Sequence, residues 1–222
     1  YEIMPSLVGS EMCIRDSYTL DGSEPTAASP RYTGPVEIGK SARFRATALR
    51  EGGENASYSR EFAFSKSTGR PAVLNTKPND SYTFEGASLL VDGYHSRPVF
   101  TSGAWLGYLD EPLDVTIDMG GEQSYSSVEL ETLAEKGDWI FPPSSVTVWV
   151  SDNGTDFTEV ASVSVPEAKA GDADGIGRYR MQFPETSARY LKVVAQNAAA
   201  IPAWHPGAGS KGFLFVDEVV VE

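Results

Sequence analysis

Apolar and polar residues alternate with a period of two along much of this chain, as in β-strands that bury one face. In the stretch 42–49, Phe44 and Ala46 alternate with Arg43 and Arg45. The same pattern covers residues 57–64, 113–119, 146–151 and 179–183, and residues 189–196 and 213–221 are predicted as two closing strands. No segment has a helical period over more than one or two turns. The pattern therefore predicts an all-β chain.

Turn-forming residues separate these strands and divide the chain into two modules. The dipeptide 21–22 (DG) and the segment 152–156 (DNGTD) are typical of tight turns between strands. The segment 65–71 (SKSTGRP) is polar and rich in turn formers, as domain boundaries are. We therefore expect a small module over residues 18–66 and a larger one over residues 67–222.

The first seventeen residues, YEIMPSLVGSEMCIRDS, follow neither a strand nor a helix period. They resemble the peptide obtained when sequencing-adapter DNA is translated at the edge of a truncated read; the alternative is an ordinary irregular N-terminus. We interpret residues 1–17 as a non-native, adapter-derived leader and exclude them from the fold. It follows that the first module is expected to lack its opening strand.

Two resemblances give the modules an expected fold. The segment YTLDGSEPTAASPRYTGPVEI, residues 18–38, resembles the small immunoglobulin-like (Ig-like) C-terminal domain of chitobiase and β-N-acetylhexosaminidases. That resemblance implies a structural spacer. The second module resembles the discoidin-like domain, also called the coagulation factor type C domain, a galactose-binding-like jelly roll. The segments that carry this match are residues 90–93, 105–108, 113–120, 148–157, 188–193 and 215–219.

The predicted fold class is thus a small Ig-like β-sandwich, truncated at its first strand, followed by a discoidin-like jelly-roll β-sandwich. The segment 201–211 (IPAWHPGAGSK) resembles the version that is appended to bacterial family-20 β-hexosaminidases. Both resemblances imply an accessory region of a secreted, periplasmic or cell-surface glycoside hydrolase, with its catalytic domain upstream in the same chain.

Charge narrows the range of partners. Residues 67–222 hold 22 acidic and 10 basic side chains, a net charge of −12 out of −13 for the whole chain. An acidic surface repels phosphate groups, which argues against nucleic acid and anionic membranes. Neutral glycans and cations fit better. No apolar run approaches the roughly 18 residues of a membrane-spanning helix.

Aromatic and polar residues in three predicted loops form the candidate sugar site. Sugars present C–H faces that stack on aromatic rings and hydroxyl groups that pair with polar side chains. We expect glycans containing N-acetylhexosamine or galactose to bind here; alternatively, some of these rings only pack over the end of the sandwich. The candidate carbohydrate-binding residues are Trp204, His205, Trp139, Phe141, Arg97 and Asp138. Trp105 and Trp149 lie in predicted strands and are assigned to the core or the sheet surface.

A structural Ca²⁺ is implied by the discoidin-like resemblance. In such sugar-binding modules, an Asp in an early turn and a Glu on the last strand meet around the ion. The matching residues are Asp92 and Glu218. Main-chain carbonyls near Leu90, Tyr94 and Val219 would supply further oxygen ligands, which calcium prefers. The alternative is that both carboxylates are merely solvated.

Nothing in the sequence predicts catalysis. The chain has no Gly-x-Ser-x-Gly motif, and its two histidines have no zinc-binding spacing. Asp217 and Glu218 are adjacent, and neighbours on a regular strand point to opposite faces, so the pair is not expected to converge on one bond. We expect no catalytic residues in this chain. The alternatives to glycan binding are modules that only pack on the catalytic barrel, or an adhesion module for proteins or cell surfaces.

Overall fold

The computed structural model describes residues 2–3, 15–49 and 56–222. Its internal contacts divide the chain into two compact units, Tyr1–Phe64 and Ser65–Glu222. Most of the predicted leader, residues 4–14, lies outside the described residues. Among the residues described, no helix is long and apolar enough to cross a membrane.

The first unit consists of short antiparallel strands. They are β1 (Glu2–Ile3), β2 (Arg15–Thr19), β3 (Val36–Glu37), β4 (Ala42–Leu49) and β5 (Ala56–Phe62). β4 pairs with β2 on one side and β5 on the other, and β1 pairs with β3. Strand β2 begins inside the predicted leader segment. The core of this unit contains Phe44 and Ala46, the residues of β4 that the alternation predicted to point inward. The rings of Phe44 and Tyr18 are stacked, with 5.8 Å between their centroids.

The second unit contains eight strands and four short 3-10 helices. The strands are β6 (Ala72–Leu74), β7 (Tyr94–His95), β8 (Leu106–Tyr108), β9 (Leu113–Ala134), β10 (Ser145–Ser151), β11 (Thr158–Ser164), β12 (Gly175–Gln196) and β13 (Leu214–Val221). The 3-10 helices are η1 (Asp80–Tyr82), η2 (Gly86–Val91), η3 (Phe100–Ser102) and η4 (Lys136–Asp138). The prediction of an all-β fold is confirmed.

Two long strands, β9 and β12, run through both layers of this sandwich. The first half of β9 pairs with β6 and with the second half of β12, which pairs in turn with β10, and β10 pairs with β11. The second half of β9 pairs with the first half of β12 and with β13, whose other neighbour is β8. Register shifts between Gln182 and Thr186 and between Ala188 and Tyr190 mark where β12 passes from one layer to the other.

The core between the layers follows the alternation read from the sequence. Residues Leu113, Val115, Ile117 and Met119 of β9 are fully buried, and their polar neighbours are not. Trp105 is completely buried, whereas Trp149 lies half-buried on the surface of β10. Burial of side chains of this size stabilises the fold by about 1.5–3 kcal/mol each.

One prediction concerns the β9–β12 pairing. The guanidinium of Arg189 donates to both oxygens of Asp118, at 3.0 and 2.8 Å, and the Gly120 N–H donates to Oδ1 at 2.9 Å. The Arg189 hydrogen bonds, followed by that of Gly120, lower the pKa of Asp118 to about 2. A lowered folded-state pKa stabilises the fold above the unfolded value, and this stability is lost as pH falls from about 4 to about 2.

We therefore expect Asp118→Asn to lower the stability of the second unit at pH 7 by about 0.5–1 kcal/mol, a modest value because Arg189 is half exposed and solvent screens the pair. The difference from wild type should vanish near pH 2. Tryptophan fluorescence follows this unit alone, because all four tryptophans lie in it. Glu122→Gln, which removes a nearby exposed charge, is the control. Equal stability of Asp118→Asn and wild type at pH 7 would contradict the prediction.

Candidate functional site

Two loops at one end of the second unit hold five of the six predicted sugar-site residues. The first follows β9 and includes η4, and the second connects β12 to β13. Main-chain hydrogen bonds join the two loops: Phe141 N–H donates to Phe213 O at 2.9 Å, and Phe213 N–H donates to Trp139 O at 2.8 Å. The DNGTD turn lies at the other end of β10, away from these loops.

Three aromatic rings surround a histidine at this end. The ring of His205 lies edge-on to Trp139, Phe141 and Trp204, with centroid distances of 6.0, 5.5 and 5.6 Å. Phe141 and Trp204 are also neighbours, at 6.3 Å. Edge-to-face contacts of this kind each contribute about 0.5–1.5 kcal/mol beyond area burial. The structure thus brings together Trp139, Phe141, Trp204 and His205, as the loop analysis expected of a site.

His205 packs between the rings on the buried side of this cluster. Its side chain is buried, and its Nε2 lies 2.9 Å from Lys136 O, while the Gly207 N–H donates to Nδ1 at 3.0 Å. Since Nδ1 accepts, Nε2 carries the proton and donates to the Lys136 carbonyl. Both nitrogens are therefore used within the protein, and we infer that His205 positions the rings rather than contacting a ligand.

Trp139 and Trp204 are the exposed members of the cluster, with 42% and 39% of their surface accessible, whereas Phe141 is buried. The backbone of Trp139 is left-handed, with φ of 64°, which is uncommon for a bulky residue and costs about 1–3 kcal/mol. Its ring lies against Gly207, where an added Cβ would come within 2.8 Å of it. The indole N–H of Trp204 donates to Ala168 O at 2.9 Å. Both rings are thus held in fixed orientations with part of their surface free.

Lys136 anchors the turn that presents Trp139. Its ammonium group donates to Asp172 O at 2.9 Å and pairs with the Asp174 carboxylate, while its own carbonyl accepts from Trp139 N–H. Burial by itself raises the pKa of Asp174, but the hydrogen bonds from Lys136 outweigh it and the pKa lies below its ordinary value. The ion pair therefore holds Asp174 ionised and the turn in place at neutral pH.

A cleft of about 380 Å³ opens beside the ring cluster. Phe141 forms one wall, and proline and alanine side chains form most of the remainder, together with Glu167. This volume lies within the range of small-molecule sites, which are mainly apolar with few polar groups. The cleft and the exposed indole rings present flat apolar surfaces bordered by main-chain polar groups.

Asp138 and Arg97, the two remaining candidate residues, differ in their position relative to the ring cluster. Asp138 is exposed at the end of η4, directly before Trp139, so it borders the ring cluster. Arg97 is exposed in the loop after β7, and its carbonyl accepts from Trp105 Nε1 at 3.0 Å. Among the residues that the structure describes, no contact links Arg97 to the four rings.

The two predicted calcium ligands meet in the interior. Glu218 is completely buried on β13, and its Oε2 accepts from Gly93 N–H at 3.2 Å. Asp92 accepts from Tyr94 N–H at 2.7 Å and lies close enough to Glu218 for a carboxyl–carboxyl hydrogen bond. The alternative of two solvated carboxylates therefore does not hold for Glu218.

Asp217 is also completely buried, with its Oδ2 accepting from Ser96 N–H at 2.8 Å. Residues 214–219 of β13 are all buried, so both faces of the strand are covered where Asp217 and Glu218 lie. A register shift between Val216 and Val219 interrupts the β13–β9 ladder at these two residues, as in a β-bulge. Both carboxyl groups therefore lie inside the unit, whichever face of β13 each one is on.

Burial dominates the electrostatics of this pair. Desolvation, followed by repulsion from Asp92 and Asp217, raises the pKa of Glu218 to about 11. Desolvation likewise raises the pKa of Asp217 well above its ordinary value. Glu218 Oε1 and Asp217 Oδ1 are buried without a hydrogen-bond partner in the structure. Unpaired buried carboxylate oxygens require a proton or a cation.

Calcium would therefore find one unpartnered buried oxygen, Oε1 of Glu218, close to the carboxyl group of Asp92. Among the described residues, no three Asp, Glu, His or Cys side chains are grouped as metal ligands. A cation there would need main-chain carbonyls to complete its coordination, as calcium accepts. The residues present fit such an ion.

One interior ion pair was not foreseen from the sequence. His95 Nδ1 lies 2.9 Å from the buried carboxylate of Glu131, which also receives Arg178 Nε at 2.8 Å. Because Glu131 lies at a position of β9 where several successive residues are buried, the alternation offered no signal of it.

The second unit is a β-sandwich with a cluster of aromatic loop residues at one end and two buried carboxyl groups on its last strand. The family model for the F5/8 type C domain matches residues 75–211, more than half of the chain. The chain therefore belongs to the F5/8 type C domain family. The model for the chitobiase/β-hexosaminidase C-terminal domain matches residues 17–60. The two resemblances read from the sequence are confirmed.

Among solved structures, the chain is similar to CpGH89CBM32-5 from Clostridium perfringens, in complex with GalNAc-beta-1,3-galactose, at 16% identity and a TM-score of 0.45, covering 68% of this chain and 93% of that one. It is similar to chitosan-binding module 1 of a chitosanase/glucanase from Paenibacillus sp. IK-5, at 18% identity and 0.45, covering 72% and 98%. A Streptococcus pneumoniae fucose binding module gives 22% identity and 0.44, covering 71% and 94%. None of the curated proteins matches this chain.

Proposed function

We propose that this chain is a non-catalytic, glycan-binding accessory region of a secreted, periplasmic or cell-surface glycoside hydrolase. The observation that carries the proposal is the pair of exposed indole rings, Trp139 and Trp204, fixed around a buried histidine beside an apolar cleft. In this view the second unit holds its attached hydrolase against glycan substrates.

The geometry suits a pyranose ring. Aromatic faces that are exposed and rigid offer the C–H face of a sugar a large contact area without loss of side-chain entropy on binding. Asp138 lies next to Trp139 and can accept hydrogen bonds from sugar hydroxyl groups. The alanine and proline side chains of the cleft offer an apolar surface for groups such as an acetamido methyl. These features favour glycans that contain N-acetylhexosamine or galactose.

Net charge supports a neutral ligand. Residues 67–222 carry a charge of −12, so sulfated, phosphorylated and uronic-acid polymers, nucleic acid and anionic membranes would be repelled. Two rings and few polar anchors leave only a small surplus of binding free energy after the entropic cost of association. We expect a dissociation constant of about 1 mM for a monosaccharide.

The parent enzyme is proposed to be a β-N-acetylhexosaminidase whose catalytic domain lies upstream. The support is the match of residues 17–60 to the chitobiase/β-hexosaminidase C-terminal domain. We further propose that Asp92 and Glu218 hold a structural Ca²⁺. The buried, unpartnered Glu218 Oε1 supports this proposal, because a divalent cation would neutralise the carboxylate without a proton.

A glycan array followed by titration calorimetry tests the proposed function. The folded protein is expected to bind neutral oligosaccharides containing N-acetylglucosamine or galactose, and to bind heparin, a sulfated control, at least about tenfold more weakly because of its acidic surface. Correct folding is checked first by the near-ultraviolet circular dichroism of the tryptophans. If the folded protein binds no neutral glycan at millimolar concentration, the two units would be structural only, and the proposal is wrong.

A further inference from the structure

A second exposed aromatic ring lies in the loop between η1 and η2. Phe84 has 45% of its surface accessible and a left-handed backbone, with φ of 35°. Among the described residues, Phe84 and Trp139 are the two non-glycine residues with positive φ, and both are exposed aromatics. Strained backbone of this kind is found mainly where a side chain must be presented for a function.

A glycine lies near each of these two rings, Gly103 near Phe84 and Gly207 near Trp139. A Cβ at Gly103 would make an ordinary van der Waals contact with Phe84 Cδ1, at 3.6 Å, whereas a Cβ at Gly207 would lie 2.8 Å from the Trp139 ring. The Trp139 ring therefore depends on its glycine, while Phe84 has room beside Gly103.

A chain of contacts connects this ring with the candidate sugar site. Phe84 lies 6.5 Å from Tyr82, and Tyr82 lies 5.5 Å from Phe213, measured between ring centroids. Phe213 N–H donates to Trp139 O at 2.8 Å. Phe100 packs edge-on against Tyr82 at 6.2 Å and fixes it from another side. Phe84 is therefore two ring contacts and one main-chain hydrogen bond away from Trp139.

We propose that Phe84, held by Tyr82, is a second stacking position for the same glycan chain that binds at Trp139 and Trp204. This inference rests on the proposed function and adds that the ligand is an extended, neutral oligosaccharide. A chain that reaches both positions gains affinity because its second contact is intramolecular.

A lipid surface is the other ligand that an exposed phenylalanine could meet. Membrane-binding loops combine apolar residues with lysine or arginine, which anionic lipids attract. Here Glu85 follows Phe84 directly, Asp80 precedes it in η1, and the module carries a charge of −12. Charge therefore favours the neutral glycan, and membrane binding becomes an outcome of the test.

The test measures affinity against the length of N-acetylglucosamine oligomers, from monomer to hexamer. Wild type should bind the hexamer about tenfold more tightly than the monomer. Phe84→Ala should weaken hexamer binding by about threefold to tenfold and leave monomer binding within about twofold, while Phe84→Tyr should restore the hexamer affinity. Phe157→Ala, which removes an aromatic ring at the opposite end of β10, should change neither.

The outcomes separate this inference from the proposed function. If wild type binds the monomer and hexamer equally, or if Phe84→Ala weakens both equally, the second position does not exist while glycan binding stands. If wild type binds no oligomer, the proposed function itself fails. If Phe84→Ala instead abolishes cosedimentation with phosphatidylserine vesicles and leaves hexamer binding intact, the loop is a membrane contact and the inference is overturned.

Discussion

Addition of calcium to the metal-free protein is expected to raise the melting temperature of the second unit by about 5–10 °C. The estimate combines about 2.7 kcal/mol of stabilisation at a calcium concentration 100 times Kd with about 2–4 °C per kcal/mol for a unit of this size. The physical reason is the burial of Glu218, whose Oε1 has no partner in the interior. Because the pKa of Glu218 is raised to about 11, a proton neutralises the group in the metal-free protein, and calcium would replace that proton and give Oε1 a partner.

Glu218→Gln separates this explanation from a general effect of salt. Glutamine has the same shape, still accepts from Gly93 N–H through its amide oxygen, and has no charge to bury. We expect the variant to melt at or above the temperature of metal-free wild type and not to respond to calcium. Glu159→Gln, an exposed change on β11, should respond as wild type does. An unchanged melting temperature of wild type across an EGTA–calcium titration would rule out the ion.

Replacement of either exposed indole ring should remove measurable glycan binding. A fully engaged tryptophan contributes at least about 2 kcal/mol to an interface, about 30-fold in affinity, and the starting affinity is weak. Trp139→Ala and Trp204→Ala are therefore expected to show no heat of binding at millimolar sugar. Trp204→Phe keeps a planar ring but loses the hydrogen bond to Ala168 O, so partial binding should remain.

Gly207→Ala tests the orientation of the ring rather than its presence. The new Cβ would lie 2.8 Å from Trp139 Cζ2, so the indole must move although it is still present. We expect glycan affinity to fall by about tenfold with little change in melting temperature, because Trp139 is largely outside the core. Phe157→Ala again serves as the control. Binding by Gly207→Ala equal to wild type would mean that Trp139 does not stack on the sugar.

Much of the fold could be predicted because one face of most strands is buried. The alternation at residues 113–119 and 146–151 gave both the strands and their inward residues correctly. The pattern could not show that residues 113–134 form a single strand, since the half that contains Leu130 and Leu133 is buried on successive positions. Alternation also gave no signal that Asp217 and Glu218 are both buried, because β13 is covered on both faces there.

The presence of ring-bearing residues in these loops could be predicted from residue type and loop position, but the contacts that each residue makes could not. Trp139, Phe141, Trp204 and His205 meet because two loops distant in sequence join through Phe213. The internal hydrogen bonds of His205 depend on where Lys136 and Gly207 lie in space, which no local pattern encodes. Phe84 gave no signal either, because an exposed aromatic in a loop looks the same in sequence as a buried one.

The two 22-residue strands, β9 and β12, have a mechanical consequence. In each layer of the sandwich, two neighbouring strands are halves of the same two continuous strands, β9 and β12. Separation of the two layers would therefore require β9 and β12 to straighten and to break hydrogen bonds in both layers at once. In the proposed role as a link between a hydrolase and a glycan, the second unit would therefore resist separation of its two layers under tension.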